Sequence, residues 1–190
     1  MRICAVIQAS GMSKRMGTDK LRLPVKGMEM YKYIIKEVSK AKLDKVVLVS
    51  KDKEILDYGK KHGFMTILNE DYKLGQSRSI VLAMQELKDF DAIMFFVADQ
   101  PFLKAETIEK LIEEFGKTDK GIVIPVYNAK RGSPVIFSSI YKEDLMALKG
   151  EERGRLIIEK HLPDVEFIEI EDGLQGIDID NMEDYERYCV

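Results

Sequence analysis

Tryptophan is absent from the 190 residues, and cysteine and histidine occur only twice each. Cys4 falls in an apolar run and Cys189 at the extreme C-terminus. That spacing offers neither a disulfide framework nor a metal-ligand pattern, and it suits a reducing cytosol. With only His62 and His161 available, and neither beside a motif, nucleophile–histidine catalysis has little to build on. No apolar stretch reaches the roughly 18 residues that a membrane span needs. The N-terminus enters a strand pattern directly, without the basic region, apolar core and cleavage site of an export signal. The expectation is a cytoplasmic protein with no membrane partner, folded as one domain over residues 1–190 with 45% hydrophobic content to form its core.

A general surplus of positive charge is missing too. The net charge is −3, which argues against a nucleic-acid partner. The average conceals a local excess: residues 1–26 hold six basic residues and one acid, leaving 24 of the 30 basic and 32 of the 33 acidic residues for the rest. The excess sits in AVIQASGMSKRMGTDKLRLPVKG (5–27), which carries Lys14, Arg15, Lys20, Arg22 and Lys26. So confined a basic loop suits a small polyanion. A nucleic-acid groove would interleave aromatics with basic residues over a longer surface.

Apolar, β-branched runs recur at 2–8 (RICAVIQ), 45–49, 65–68, 92–97 and 122–126, as strands buried on both faces should read. Between them lie helical stripes: Ile34, Ile35, Val38 and Ala41; Ile80, Ala83, Met84 and Leu87; Ile108, Leu111, Ile112 and Phe115. Strand–helix alternation predicts right-handed crossovers and a mainly parallel sheet with helices on both faces. RGSPVIF (131–137) reads as a turn into a further strand and VEFIEI (165–170) as an alternating edge strand. In such sheets ligands sit beyond the carboxyl ends of the strands. The loop from Ala9 and the stretch ADQPF (98–102) both belong to that edge.

Gly11 and Gly17 are too far apart for the G-x-G-x-x-G fingerprint, and no Gly-Lys-Ser/Thr follows. What remains is the physics those loops share, with backbone N–H groups and cations placed to meet a polyphosphate. The stretch QASGMSKRMGTDKLRLP (8–24) resembles the signature L-A-A-G-x-S-x-R-M-G-x-x-K-L-L-L-P of nucleotidyltransferases similar to molybdenum cofactor cytidylyltransferase. Further segments match in order: NEDYKLGQSRSI (69–80), VADQPF (97–102), RGSPVIF and GIDIDNMEDY (176–185). The sequence departs from the family at Ser10, at Ser133, at Asn181–Met182 and in GEERGR (150–155), which stands for G-D-x-G-A-R.

The resemblance implies a Rossmann-like three-layer α/β/α sandwich of the nucleotide-diphospho-sugar transferase type. It also implies Mg²⁺ as cofactor, CTP as donor and a molybdopterin-type phosphate as acceptor, with a molybdoenzyme or chaperone as protein partner. Asp99 follows a buried strand, where a carboxylate is costly unless it meets a cation or solvent. Asp178 and Asp180, two apart, share one face of an extended chain. The resemblance makes Asp99 and Asp180 the metal ligands and Asp178 their support. It places Arg15 on the β and γ phosphates, Lys20 on the α-phosphate, and the amides from Ser10 to Gly17 around the phosphates. Ala9, Ser10 and Gly11 would border the base, with Gly75 and Ser79 beside base and ribose. Plainer roles compete: aspartates as turn or helix caps, Ser77 or Ser79 as an N-cap, the histidines at helix ends, and Arg22 and Lys26 as solvated charge. Gln100 in D-Q-P and the single glycine of ASG lean towards cytidylyl transfer, since the guanylyl branch reads A-G-G and D-M-P. The rivals are guanylyl transfer, transfer to another phosphorylated acceptor, and a non-catalytic nucleotide- or cofactor-binding chaperone.

Overall fold

The computed structural model describes residues 1–13 and 16–190. The first half runs β1 (Ile3–Ala9), β2 (Pro24–Val25), β3 (Met28–Glu29), α1 (Met30–Val38), β4 (Lys45–Ser50), α2 (Lys53–Lys61), β5 (Met65–Leu68) and α3 (Ser77–Glu86). The second runs β6 (Ala92–Val97), α4 (Ala105–Lys117), β7 (Ile122–Tyr127), β8 (Lys130–Arg131), β9 (Val135–Ser138), α5 (Lys142–Ala147), α6 (Gly154–Lys160), β10 (Val165–Ile170) and α7 (Met182–Cys189).

β1 is apolar at successive positions because both of its faces are covered. Ile3, Ala5, Ile7 and Ala9 pack with side chains of α1, α2 and α4, whereas Cys4 and Val6 pack with those of α3, α5 and α6. Burying each large aliphatic side chain contributes roughly 1.5–3 kcal/mol, which places such a strand at the centre of a sheet. The order is β10-β7-β9-β6-β1-β4-β5, with β8 added to β7. β5, β4, β1 and β6 run parallel, as do β7 and β10. β9 is inserted antiparallel between β6 and β7. The sheet is therefore mixed but mainly parallel, with helices on both faces.

One strand reading changes. The run at 65–68 is an edge rather than an interior strand, with Met65 exposed and its three successors half-buried. At the opposite edge β10 alternates through its middle, and its outward Phe167 stays exposed with the Arg131 guanidinium 4.8 Å from the ring centroid. Two helical stripes also overrun their helices, since Ala41 and Leu87 lie just past the ends of α1 and α3.

Sheet order locates the crevice. From β1 the chain proceeds to β4 and β5 on one side, then returns to β6 on the other. Loops leaving the carboxyl ends of β1 and β6 consequently diverge and leave a gap between them. Among the described residues no helix is long and apolar enough to cross a membrane.

Candidate active site

Three distant stretches close around this gap. A 3₁₀ turn at Lys20–Arg22 is capped by the Asp19 carboxylate, which accepts from Leu21 N at 3.2 Å. Leu21 is buried in the core, and Lys20 N donates to Ser13 Oγ at 3.2 Å, so the turn is anchored from both sides. Asp99 lies just beyond β6. The third stretch arrives because Ile179 N donates to Asp99 O at 3.0 Å. Ile179 is fully buried, which sends its neighbours Asp178 and Asp180 the other way, into the cleft, as a two-residue period requires. The cap at this point is Asn181, which accepts from Asp184 N at 2.9 Å, while Asp184 reaches back to Asp180 N at 3.1 Å. The start of α7 therefore fixes the Asp180 backbone.

The Lys20 ammonium donates to Asp99 Oδ2 in a short contact and to Asp180 Oδ1 at 3.0 Å. Burial opposes its charge, but attraction to Asp99 and the hydrogen bonds to both acids prevail, and its pKa rises. Asp178 is affected in the opposite sense to an exposed acid. Burial first, then repulsion from Asp99 and Asp180, push its carboxyl up to about 7, with Lys20 opposing. Among the described residues Asp99 Oδ1 is buried without a hydrogen-bond partner.

The cleft has a volume of about 440 Å³, within the range of small-molecule sites. Ser10, Gly11, Gly75, Ser79, Asp99 and Asp180 all line it, together with Lys20 and Asp178. Gly17 has φ +68, a left-handed conformation suited to glycine, but lies outside the cleft wall. Ala9 corrects an expectation, because its methyl packs in the core and its carbonyl accepts from Ser50 Oγ at 3.0 Å. Of the first two residues in ASG, only Ser10 lines the cleft, and its hydroxyl is turned to Val49 O at 3.4 Å. Arg15 lies outside the described residues, as does Lys14.

Other cations and polar groups have separate partners. Arg22 donates to Asp52 through Nε at 2.9 Å and Nη2 at 2.6 Å, and through Nη1 to Glu54. It ties the turn to the start of α2, and Lys26 sits exposed in the β2–β3 turn. Gln100 is 1% exposed and faces Asp178, favouring its ionised form without completing a hydrogen bond. It is therefore turned to the acids rather than to the cleft wall. His62 and His161 do close helices, but His161 also packs edge-on against Tyr141, with centroids 5.0 Å apart.

Neither serine of α3 is an N-cap. Ser77 N and Oγ both donate to Gly150 O, at 3.1 and 2.8 Å. The Ser79 hydroxyl accepts from Asn69 Nδ2 at 3.2 Å. Those bonds bring the 149–153 segment onto the cleft, where Glu151 and Arg153 join the wall. Arg155, the residue aligned with the family's arginine, points outwards to Glu159 at 2.7 Å. The sequence reading also missed Tyr72, Gln76 and Lys51, whose ammonium donates to Gly11 O at 2.8 Å. Lys51 follows β4, so the rule that finds ligands beyond strand ends could have found it.

Among the described residues no group of three or more His, Cys, Asp or Glu side chains forms a metal cage. The donor set nevertheless fits Mg²⁺, which takes one or two carboxylates and leaves its other positions to water and phosphate. The orphaned Asp99 Oδ1 and the cation-seeking Asp180 are such donors.

The raised Asp178 pKa makes a stability prediction. Its folded state binds the proton more tightly than the unfolded chain does, so wild-type stability falls as pH climbs from the ordinary carboxylate range through about 7. Asp178→Asn should remove this fall. In metal-free buffer at about pH 8, a gain of at least ~1 kcal/mol, or ~2–4 °C in Tm, is expected. A variant less stable than wild type there would contradict the assignment.

This geometry is that of a mainly parallel α/β domain with a charged cleft beyond the carboxyl ends of β1 and β6. The MobA-like NTP transferase domain model matches residues 5–165, and the chain belongs to that family. It is 36% identical over 126 residues to the probable molybdenum cofactor guanylyltransferase of Natranaerobius thermophilus, covering 65% of this chain and 60% of the relative. It is 34% identical over 120 residues to the 2-C-methyl-D-erythritol 4-phosphate cytidylyltransferase of Dictyoglomus thermophilum, covering 59% and 51%. The chain thus spans between half and two thirds of the length of these two relatives. In three dimensions it superposes on a nucleotidyl transferase from Methanothermobacter with a TM-score of 0.82 at 20% identity, over 99% of this chain and 96% of the other. The fold is accordingly of the Rossmann-like nucleotidyltransferase type.

Proposed function

We propose that the protein is a Mg²⁺-dependent nucleotidyltransferase that transfers CMP from CTP to the terminal phosphate of a molybdopterin-type acceptor. The observation that carries this reading is the convergence of Lys20, Asp99 and Asp180 beneath the glycine loop, at the carboxyl ends of β1 and β6. An acceptor phosphate oxygen forms a bond to the α-phosphorus as the α–β bridging P–O bond breaks, and its electron pair leaves with pyrophosphate. An ionised phosphate needs no general base. What the reaction demands is positioning and charge neutralisation, in keeping with a site rich in charge and without a nucleophile–histidine pair.

Asp99 and Asp180 would hold Mg²⁺, which when bound neutralises triphosphate charge. Lys20 would meet the α-phosphate, Arg15 the β and γ phosphates, and the amides from Ser10 to Gly17 would surround them. Gly75 and Ser79 would bound the base and ribose. Membership of the MobA-like family supports nucleotidyl transfer.

Ser10 supports the pyrimidine. Ser10 lines the cleft with its hydroxyl turned to Val49 O at 3.4 Å, and a second glycine in its place would leave more room for a purine. Guanylyl transfer is the second reading, favoured by the placement of Ala9 in the core and by the name of the Natranaerobius relative. Pyrophosphate release with CTP, GTP, ATP and UTP, each with and without molybdopterin, tests both. We expect kcat/KM for CTP to exceed that for GTP by at least ~10-fold, or ~1.4 kcal/mol, and Ser10→Gly to narrow the ratio. A GTP preference would select the guanylyl branch. No pyrophosphate with any pair would favour a binding module.

A further inference from the structure

We propose that Lys20 fills the cation seat between Asp99 and Asp180 whenever nucleotide is absent, so that the metal enters with the triphosphate rather than ahead of it. This rests on the metal assignment above.

Asp99, Asp178 and Asp180 all line the cleft, and the Lys20 ammonium lies between Asp99 and Asp180. The Lys20 side chain is 11% exposed and that of Asp99 18% exposed, so water screens the pair poorly. A divalent ion held by the two oxygens that accept from Lys20, Asp99 Oδ2 and Asp180 Oδ1, would take the place of that ammonium. A metal arriving alone brings no anion to receive the displaced charge, which would be left half-buried beside a dication. A metal–triphosphate complex brings phosphate oxygens, and the ammonium can move from carboxylate to phosphate without losing its partners.

The construction of the turn suits such an exchange. Lys20 N is held by Ser13 Oγ and Leu21 is buried, so the backbone stays in place while the side chain swings. Lysine has the flexible stem and point charge for this, unlike the fork of Arg22 locked on Asp52 and Glu54. Metal and nucleotide then bind with positive coupling, and the coupling is reciprocal.

The test is Mn²⁺ titration of the full chain, followed by the electron paramagnetic resonance signal of free Mn²⁺. Each titration is run with and without whichever of CTP, GTP, ATP or UTP raises Tm most. Wild type should bind Mn²⁺ weakly alone and strongly with nucleotide. Lys20→Met, which keeps the stem and deletes the charge, should bind Mn²⁺ alone at least ~10-fold more tightly than wild type. Adding Asp99→Asn to Lys20→Met should abolish that gain. If Lys20→Met binds Mn²⁺ no better than wild type, while Asp99→Asn still weakens the Mn²⁺–nucleotide complex, the exchange is wrong and the metal site stands. If Asp99→Asn and Asp180→Asn both bind that complex as wild type does, the metal assignment itself falls.

A second measurement needs no variant at this position to fold. In wild type with ¹⁵N-labelled lysine, the Lys20 Nζ resonance should move on adding Mg²⁺ with nucleotide and stay in place with Mg²⁺ alone. Movement with Mg²⁺ alone would overturn the proposal.

Discussion

Asp99→Asn is expected to lower kcat/KM for pyrophosphate release by about 10³-fold, equivalent to ~4 kcal/mol of transition-state stabilisation. The amide keeps the shape of the carboxylate and removes the charge that Lys20 and a metal ion both seek. In the proposed reaction that charge orders the metal against the triphosphate, so its loss falls on the chemical step. Stability should change by less than ~1 kcal/mol. Lys20 keeps Asp180 as a partner, and Asp178 is relieved of its largest charge repulsion. Steady-state kinetics beside thermal unfolding in metal-free buffer separate the two effects. Turnover within about threefold of wild type would remove Asp99 from the catalytic centre.

Gly75→Ala should be the most destabilising single-methyl change near the cleft. Gly75 has φ +113 and ψ 175, a region essentially restricted to glycine. Its neighbour leaves no space either, since a Cβ there would lie 2.1 Å from Gly150 O and 2.8 Å from Glu151 N. Both obstacles are backbone, and a rotamer change cannot relieve them. Strain and clash together should cost at least ~2 kcal/mol, or about 4–8 °C in Tm. The 149–153 segment should also lose its seat on Ser77, disturbing the cleft wall at Glu151 and Arg153 and raising KM for nucleotide. Gly11→Ala is the control for stability: among the described residues nothing lies within 4 Å of a Cβ placed there, and its Tm should move by less than ~2 °C. Equal Tm values for the two variants would show that the Gly75–Gly150 contact does not support the fold.

How far the site could be read in advance differs by residue. Asp99 was legible because an acid beyond a buried strand has few inexpensive surroundings. The Asp178–Asp180 pair was legible because alternation is a local property, and buried Ile179 confirms it. Gln100 was read only as a mark of the cytidylyl branch, and its burial beside Asp178 was not legible in the motif. Ala9 misled, because adjacency in ASG does not tell which side chain turns inwards. Arg153 went unseen because its neighbours in the cleft are not neighbours in sequence, whereas Lys51 lay within reach of the strand-end rule.

By itself the sequence determined the strand–helix alternation, the basic loop and the family, since each rests on patterns complete within one or two turns of chain or in ordered motifs. It also determined which acids and cations were candidates. Only the tertiary structure decided their pairing. Lys20 meets Asp99 across 79 residues and Asp180 across 160, and Gly150 reaches Ser77 across 73. Those distances are closed by the strand order β9-β6-β1-β4 and by the helix cap that holds Asp180. Periodicity tells which face of an element is buried. Which charges then share that burial depends on the elements packed beside it.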